Sequence, residues 1–505
     1  MNEANHNLFC HLISPDESRT AISLPTGEEI SYAELDAMSA RYANALKNHG
    51  LQKGDRLMAQ TEKSHHAVAL YLATIRLGAI YVTINSAYTA AEAAYFVGDA
   101  TPKIFVCDPS RIEETNIFCT PTNSLVVSLS PNGDGSLDLE ALNQSENFKT
   151  ELCTSQDLAA ILYTSGTTGK SKGAMLTHGN LLSNAQTLYK VWGYAKDDVL
   201  IHALPIFHTH GLFVALNLSF LAKAKVILLT KFDSQLIIKL MPTATVLMGV
   251  PTFYTRLLNE AGLNQSICTN MRLFVSGSAP LLASTHQQWQ QITGHAILER
   301  YGMTETNMNT SNPLNGERRP GTVGMALPGT ELRIAVKTTT ELMPTGEIGM
   351  LQVRGPNVFV GYWNMPEKTA AEFTSDGFFI TGDLGLIDKD GYIHIIGRDK
   401  DMVISGGFNI YPKEIETELD AMQHILESAV FGVDDADFGE KVIAAIILEQ
   451  GCEENRQAID SHMTNRLARF KRPAEIYFIE NLPRNTMGKV QKNILRQEFL
   501  TNSQS

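Results

Sequence analysis

The chain has 505 residues, 44% hydrophobic and 19% charged, which is too long for a single core, so two or more structural units are expected. A formal net charge of −13 excludes nucleic acid as the main partner, because phosphate backbones need a basic face. Cys10, Cys107, Cys119, Cys153, Cys268 and Cys452 include no close pair to frame a metal or disulfide, which fits a reducing, cytoplasmic compartment.

The start, Met1–Ser14, has no basic flank leading into an apolar run, so no secretory signal is expected. Helical periodicity follows over Tyr32–His49 and Ala67–Leu77. Ile104–Cys107 reads as a buried strand, entered by Pro102 and left through Asp108-Pro109. Ala159–Tyr163 is a second such strand, followed by a helix over Leu181–Trp192. Leu212–Leu229 is the most apolar stretch, yet Asn217, Ser219, Lys223 and Lys225 interrupt it, so no membrane span is expected. A third strand, Leu273–Val275, precedes a helix over Leu282–Thr293. This alternation predicts an α/β fold. From about Gly346 the strands shorten between turns at Gly355-Pro356, Asp376-Gly377 and Asp390-Gly391. The charged run Arg398-Asp399-Lys400-Asp401 marks a boundary, giving units 1–398 and 399–505.

The strongest local signal is Tyr163-Thr164-Ser165-Gly166-Thr167-Thr168-Gly169-Lys170-Ser171-Lys172-Gly173. Its glycines let the backbone approach an anion, while its hydroxyls and lysines supply donors and positive charge for a polyphosphate. The spacing predicts a loop between a strand and a helix opening near Thr177-His178. A mononucleotide P-loop needs a glycine five positions before Gly169, where Thr164 stands, so kinase-type and GTPase-type readings fail.

The loop resembles the nucleotide loop of the adenylate-forming superfamily that unites acyl-CoA synthetases, adenylation domains and luciferases. Further runs carry the same resemblance in the same order. They are Ser276-Gly277-Ser278-Ala279-Pro280-Leu281, Tyr301-Gly302-Met303-Thr304-Glu305, Thr381-Gly382-Asp383, Gly397-Arg398-Asp399-Lys400-Asp401 and Pro483-Arg484-Asn485-Thr486-Met487-Gly488-Lys489. The resemblance implies a large N-terminal α/β unit of several subdomains and a small, mobile C-terminal α/β domain. It implies ATP, Mg²⁺ and coenzyme A, with Glu305 holding the metal and Thr304 donating to the α-phosphate. Lys489 would bridge the substrate carboxylate and that phosphate. Nucleotide contacts would come from Thr164 to Gly169, Lys172, Gly277, Ser278, Ala279, Glu299, Tyr301 and Gly302. Asp383 and Arg398 would take the ribose. A rotation at Lys400 would exchange the lysine loop for the Gly406-Gly407 loop, past which pantetheine reaches the acyl group.

Arg256 and Arg300 stand where relatives that take apolar acids have small or apolar residues. Two buried arginines are costly unless they meet an anion, which predicts an acid with a second carboxylate. His210, Ser276 and Met303 complete the expected acyl pocket, and Met303 or Thr209 would set its width. A zinc site of His202, His208 and His210 lacks an acidic or cysteine partner. The run Glu299–Thr306 with Asn307–Ser311 is similar to that of the malonyl-CoA synthetase branch, which implies malonate, with methylmalonate, as the acid. Another short-chain acyl-CoA synthetase and a stand-alone domain loading a carrier protein are the alternatives. The sequence is compatible with a homo-oligomer and does not call for one.

Overall fold

The short apolar run Ile104–Cys107 is a strand with every residue buried, and it lies inside a parallel array. In the computed structural model, which describes residues 5–164, 171–337, 339–405, 408–435, 438–486 and 488–502, it pairs with Arg56–Gln60 and Leu125–Ser128. Arg56–Gln60 pairs in turn with Ile80–Thr83, and Ile80–Thr83 with Leu158–Thr164, all parallel. Side chains buried on both faces explain why these strands read as unbroken apolar runs. Lys172–Thr177 and Gly361–Tyr362 close the edge of this seven-stranded sheet antiparallel.

The second large sheet has nine strands, with the parallel run Leu273–Ser276, Val246–Gly249, Val199–His202 and Lys225–Leu228 near its centre. The helix His65–Arg76 packs on the strand Ile80–Thr83 and on the helix Tyr32–Asn48. Every one of its residues except His66 is buried, the signature of a helix with no solvent face. Its Tyr71 ring lies 5.3 Å from Tyr81 and 6.2 Å from Phe213, between ring centroids. Helix starts follow their caps: Ser31 with Glu34 opens Tyr32–Asn48, and Thr177 with Asn180 opens His178–Val191.

Packing divides the chain into two units, Met1–Glu331 with Val353–Phe373, and Leu332–Gln352 with Thr374–Ser505. The second unit holds the strands Phe379–Ile387 and Ile393–Arg398, and a smaller sheet built on the long pair Ile425–Asp435 and Gly439–Leu448. Val403, Ile410, Ile415, Leu419 and Ile446 pack in one core of that sheet, and Phe431, Leu495 and Phe499 in another. This grouping places Leu332–Gln352 and Thr374–Arg398 with the residues after the expected boundary at 398/399. Among the described residues no helix is long and apolar enough to cross a membrane.

Candidate active site

In the second unit the turn at Asp388–Gly391 folds Phe379–Ile387 back onto Ile393–Arg398, so that Asp383 and Arg398 become cross-strand partners. Arg398 Nε lies 2.8 Å from Asp383 Oδ1, and its Nη1 donates to the Thr381 carbonyl at 3.0 Å. The Asp383 amide donates to Thr381 Oγ1 at 3.0 Å. A buried carboxylate held this way points acceptor capacity at a fixed place, which suits a pair of sugar hydroxyls.

Lys489 belongs to the same unit and sits among Asp383, Arg398, Lys400 and Asp401. Part of its side chain is open to solvent. The protein packed around its ammonium is still the larger cause, with the Arg398 guanidinium second, that pushes its pKa down to about 8. Its loop is tied locally. Asn485 Oδ1 accepts from the Lys489 amide, and the Asn485 amide donates to the Lys489 carbonyl, both at 3.0 Å. Arg484 donates to the Gly488 carbonyl at 2.6 Å while paired with Glu427. A mobile side chain on a fixed loop delivers a point charge to one place.

In the first unit the hairpin of Leu298–Met303 with Asn307–Ser311 carries Thr304 and Glu305 in its turn. Gly302 is required there, since a Cβ would stand 1.9 Å from the Asn307 carbonyl oxygen. Glu305 is buried, and the Tyr362 hydroxyl lies 3.0 Å from its Oε1 and 2.7 Å from Glu372 Oε2. Lys172 donates to Glu372 Oε1 at 3.1 Å and stands 4.1 Å from the centre of the Tyr362 ring. Burial pushes the Glu372 carboxyl up, but Lys368, Tyr362 and Lys172 outweigh it and hold it below the usual carboxylate range. Oxygen donors on a fixed turn are the ligand type that Mg²⁺ prefers, so Glu305 fits the expected role. Tyr362 and Glu372 were not foreseen. They lie 57 and 67 residues beyond Glu305 in the sequence, and nothing local marks them.

Of the residues expected to line the acyl pocket, Ser276 ends the strand Leu273–Ser276 and His210 follows the strand Val199–His202, towards the C-terminal strand ends where α/β sheets place their ligands. Arg300 is buried, and a Cβ on Gly277 would meet its guanidinium carbon at 2.4 Å. Its Nε and Nη2 have no hydrogen-bond partner among the described residues, and burial lowers its pKa to about 9. Its sequence neighbour Glu299 is turned to another partner, with Oε1 3.5 Å from His286 Nδ1. The His210 ring feels the Arg300 charge and reaches Ser278 Oγ through Nδ1 at 3.3 Å. Thr209 Oγ1, His210 Nε2 and Ser276 Oγ are also buried without a hydrogen-bond partner among the described residues. Met303 and Tyr301 are half-buried, with Tyr301 Oη 3.9 Å from Met303 Sδ. Ser278 adopts φ +73°, a left-handed conformation that a serine holds only under constraint. Buried hydroxyls beside a guanidinium with two nitrogens unpartnered among the described residues suit an anion.

Arg256 corrects the expectation of two buried arginines. The helix Pro251–Leu258 buries Pro251, Phe253, Tyr254 and Leu257, which turns Arg256 outward. It is exposed, 5.7 Å from the centre of the Phe232 ring. The zinc reading also falls, because Lys63 and the Gly211 carbonyl occupy the two His202 ring nitrogens. A strand rather than a helix follows the phosphate run, since Lys172–Thr177 pairs antiparallel with Leu158–Thr164, and the helix begins only after it. Of that loop, Thr164 ends the first strand; Ser165, Gly166, Thr167, Thr168 and Gly169 lie outside the described residues, as do Gly406 and Gly407.

Residues 14–363 match the AMP-binding enzyme family, and residues 414–489 match the AMP-binding enzyme C-terminal domain. The chain is 35% identical to a malonate–CoA ligase of Arabidopsis thaliana over 521 residues, covering 94% of this chain and 85% of that protein. It is 32% identical to a long-chain-fatty-acid–CoA ligase of Bacillus subtilis, covering 96% of this chain and 92% of that one. Among solved structures, ATP-bound MatB from Rhodopseudomonas palustris is similar with a TM-score of 0.96 and 56% identity, covering 98% of this chain and 99% of that one.

Proposed function

The chain belongs to the AMP-binding enzyme family, and from that premise we propose that it is an AMP-forming malonate–CoA ligase, with methylmalonate as a second acid. The observation that carries the choice of acid is Arg300, a buried guanidinium with two unpaired nitrogens beside the residues expected to line the acyl pocket. A relative of similar identity acts on long-chain fatty acids, so membership of the family leaves the acid open. An apolar tail would leave the Arg300 charge buried and unpaired, whereas a second carboxylate satisfies it.

The reaction has two steps. A carboxylate oxygen bonds to the α-phosphorus of ATP as pyrophosphate leaves, giving an acyl-adenylate. The CoA sulfur then bonds to the acyl carbon, its proton passes to solvent and AMP leaves. The first step gathers several anionic oxygens, so positioning and charge neutralisation dominate it. In this reading Arg300 orients the distal carboxylate, Asp383 and Arg398 hold the ribose, and Lys489 supplies the cation between the reacting carboxylate and the α-phosphate. Thr304 donates to that phosphate. Glu305 would hold Mg²⁺, which when bound neutralises phosphate charge. Nucleotide contacts are assigned to Thr164 to Gly169, Lys172, Gly277, Ser278, Ala279, Glu299, Tyr301 and Gly302. The reading includes a hinge at Lys400, after the boundary at 398/399, that exchanges the lysine loop for the Gly406-Gly407 loop. Lys400 lies exposed in the short turn Asp399–Asp401, which buries no residue. A cytoplasmic location belongs to the same reading, supported by six cysteines that are all unpaired.

AMP release with ATP, Mg²⁺ and CoA, compared between malonate, acetate, propionate and succinate, tests the proposal. Malonate-dependent release that stops when CoA is omitted supports it, and turnover of a monocarboxylate in preference to malonate overturns the choice of acid. The lowered pKa of Lys489 adds a pH dependence. Lysine acts here as a cation, so kcat/KM for adenylation should fall about tenfold per unit as pH rises through about 8. Lys489→Arg, which stays charged, should lack that limb. A profile flat to pH 9 in the native enzyme would separate this lysine from the rate.

A further inference from the structure

Lys63 is a buried lysine with no acidic partner among the described residues. It follows the strand Arg56–Gln60 and precedes Ser64, which caps the helix His65–Arg76. Its Nζ makes two hydrogen bonds to one residue, to the His202 carbonyl and to His202 Nδ1, each at 2.8 Å. A donor on Nδ1 places the ring proton on Nε2, which lies 2.9 Å from the Gly211 carbonyl and can donate to it. Gly211 packs tightly there and tolerates no side chain, because a Cβ would stand 2.0 Å from the Pro205 carbonyl oxygen. Gly211 lies in the first turn of the π-helix His210–Asn217, immediately after Thr209 and His210. Those two residues carry unpartnered buried atoms on the acyl side.

A methionine would fill the same volume without burying an amine. Burial holds both Lys63 and His202 well below their usual pKa, so the arrangement costs stability and adds no surface charge. What it supplies is one ring orientation, one tautomer and one position for the start of the π-helix.

We propose that Lys63 and His202 are positioning residues for acid selection, fixing the Thr209–His210 wall so that it faces the Arg300 guanidinium and accepts the distal carboxylate of a dicarboxylic acid. The inference rests on the dicarboxylate reading of the acyl pocket. Neither residue touches the reacting atoms. Loss of the chain of hydrogen bonds should therefore weaken recognition of the distal carboxylate and leave the nucleotide alone.

The test is the kinetics of Lys63→Met and His202→Gln with malonate and with propionate. Lys63→Met should raise the malonate KM about ten- to a hundredfold, with kcat, the ATP KM and the slow propionate rate changed less than about threefold. The double variant should lose no more than the worse single one, because both break one chain. Equal losses for malonate and propionate, or fully additive losses, would overturn the assignment. A native enzyme that prefers propionate would instead remove the dicarboxylate reading, so the two failures are distinct. Should Lys63→Met fail to fold, nitrogen NMR of histidine-labelled native enzyme decides: a neutral His202 with its proton on Nε2 at pH 7 supports the pair, and a proton on Nδ1 refutes it.

Discussion

Lys489→Ala should lower malonate-dependent exchange of pyrophosphate into ATP by about a hundred- to a thousandfold, the scale of removing one preorganised donor from a developing anion. The same variant, supplied with malonyl-adenylate and CoA, should form malonyl-CoA within about threefold of the native rate. The split follows from where charge builds up. Adenylation brings a carboxylate against a polyphosphate, whereas thiol attack disperses charge into a departing nucleotide. Because Arg484 and Asn485 fix the backbone of the lysine loop, the alanine should leave its neighbours in place, and unchanged thermal stability would confirm that. A loss of equal size in both half-reactions would remove Lys489 from the specific role given to it.

How far this site could be read from the chain depends on how locally each contact is encoded. Asp383 and Arg398 meet because a turn at Asp390-Gly391 folds two short strands together, and the turn is written in the sequence. Ile104–Cys107 was legible for the same kind of reason, with four apolar residues between prolines. Lys172–Thr177 was not, because a six-residue run ending in a helix cap has no period long enough to separate strand from helix approach. The burial of Arg256 was misread although the signal was present. Phe253, Tyr254 and Leu257 mark the buried face of its helix, and at 100° per residue Arg256 falls away from that face. Lys63 bonds a residue 139 positions away, and Tyr362 reaches Glu305 across 57. Contacts of that range depend on how strands are ordered within and between sheets, which periodicity cannot report.

Arg300→Met should reduce malonate kcat/KM by about 2–5 kcal/mol, about thirty- to four-thousandfold, while acetate and propionate are turned over as before or somewhat faster. The same substitution should leave the melting temperature unchanged or raise it. A buried guanidinium with two unpaired nitrogens is destabilising in the free enzyme, and an apolar side chain of similar length removes that cost. A residue kept only to pair within the fold would behave in the opposite way, losing stability without changing the choice of acid. Ligand linkage gives a second reading of the same idea. Malonate should raise the melting temperature of the native enzyme in proportion to the logarithm of its concentration, because it binds the folded state alone. In Arg300→Met that rise should vanish for malonate, while the rise given by ATP persists. A variant that loses stability, or one that still responds to malonate, would place the selection of the acid somewhere other than Arg300.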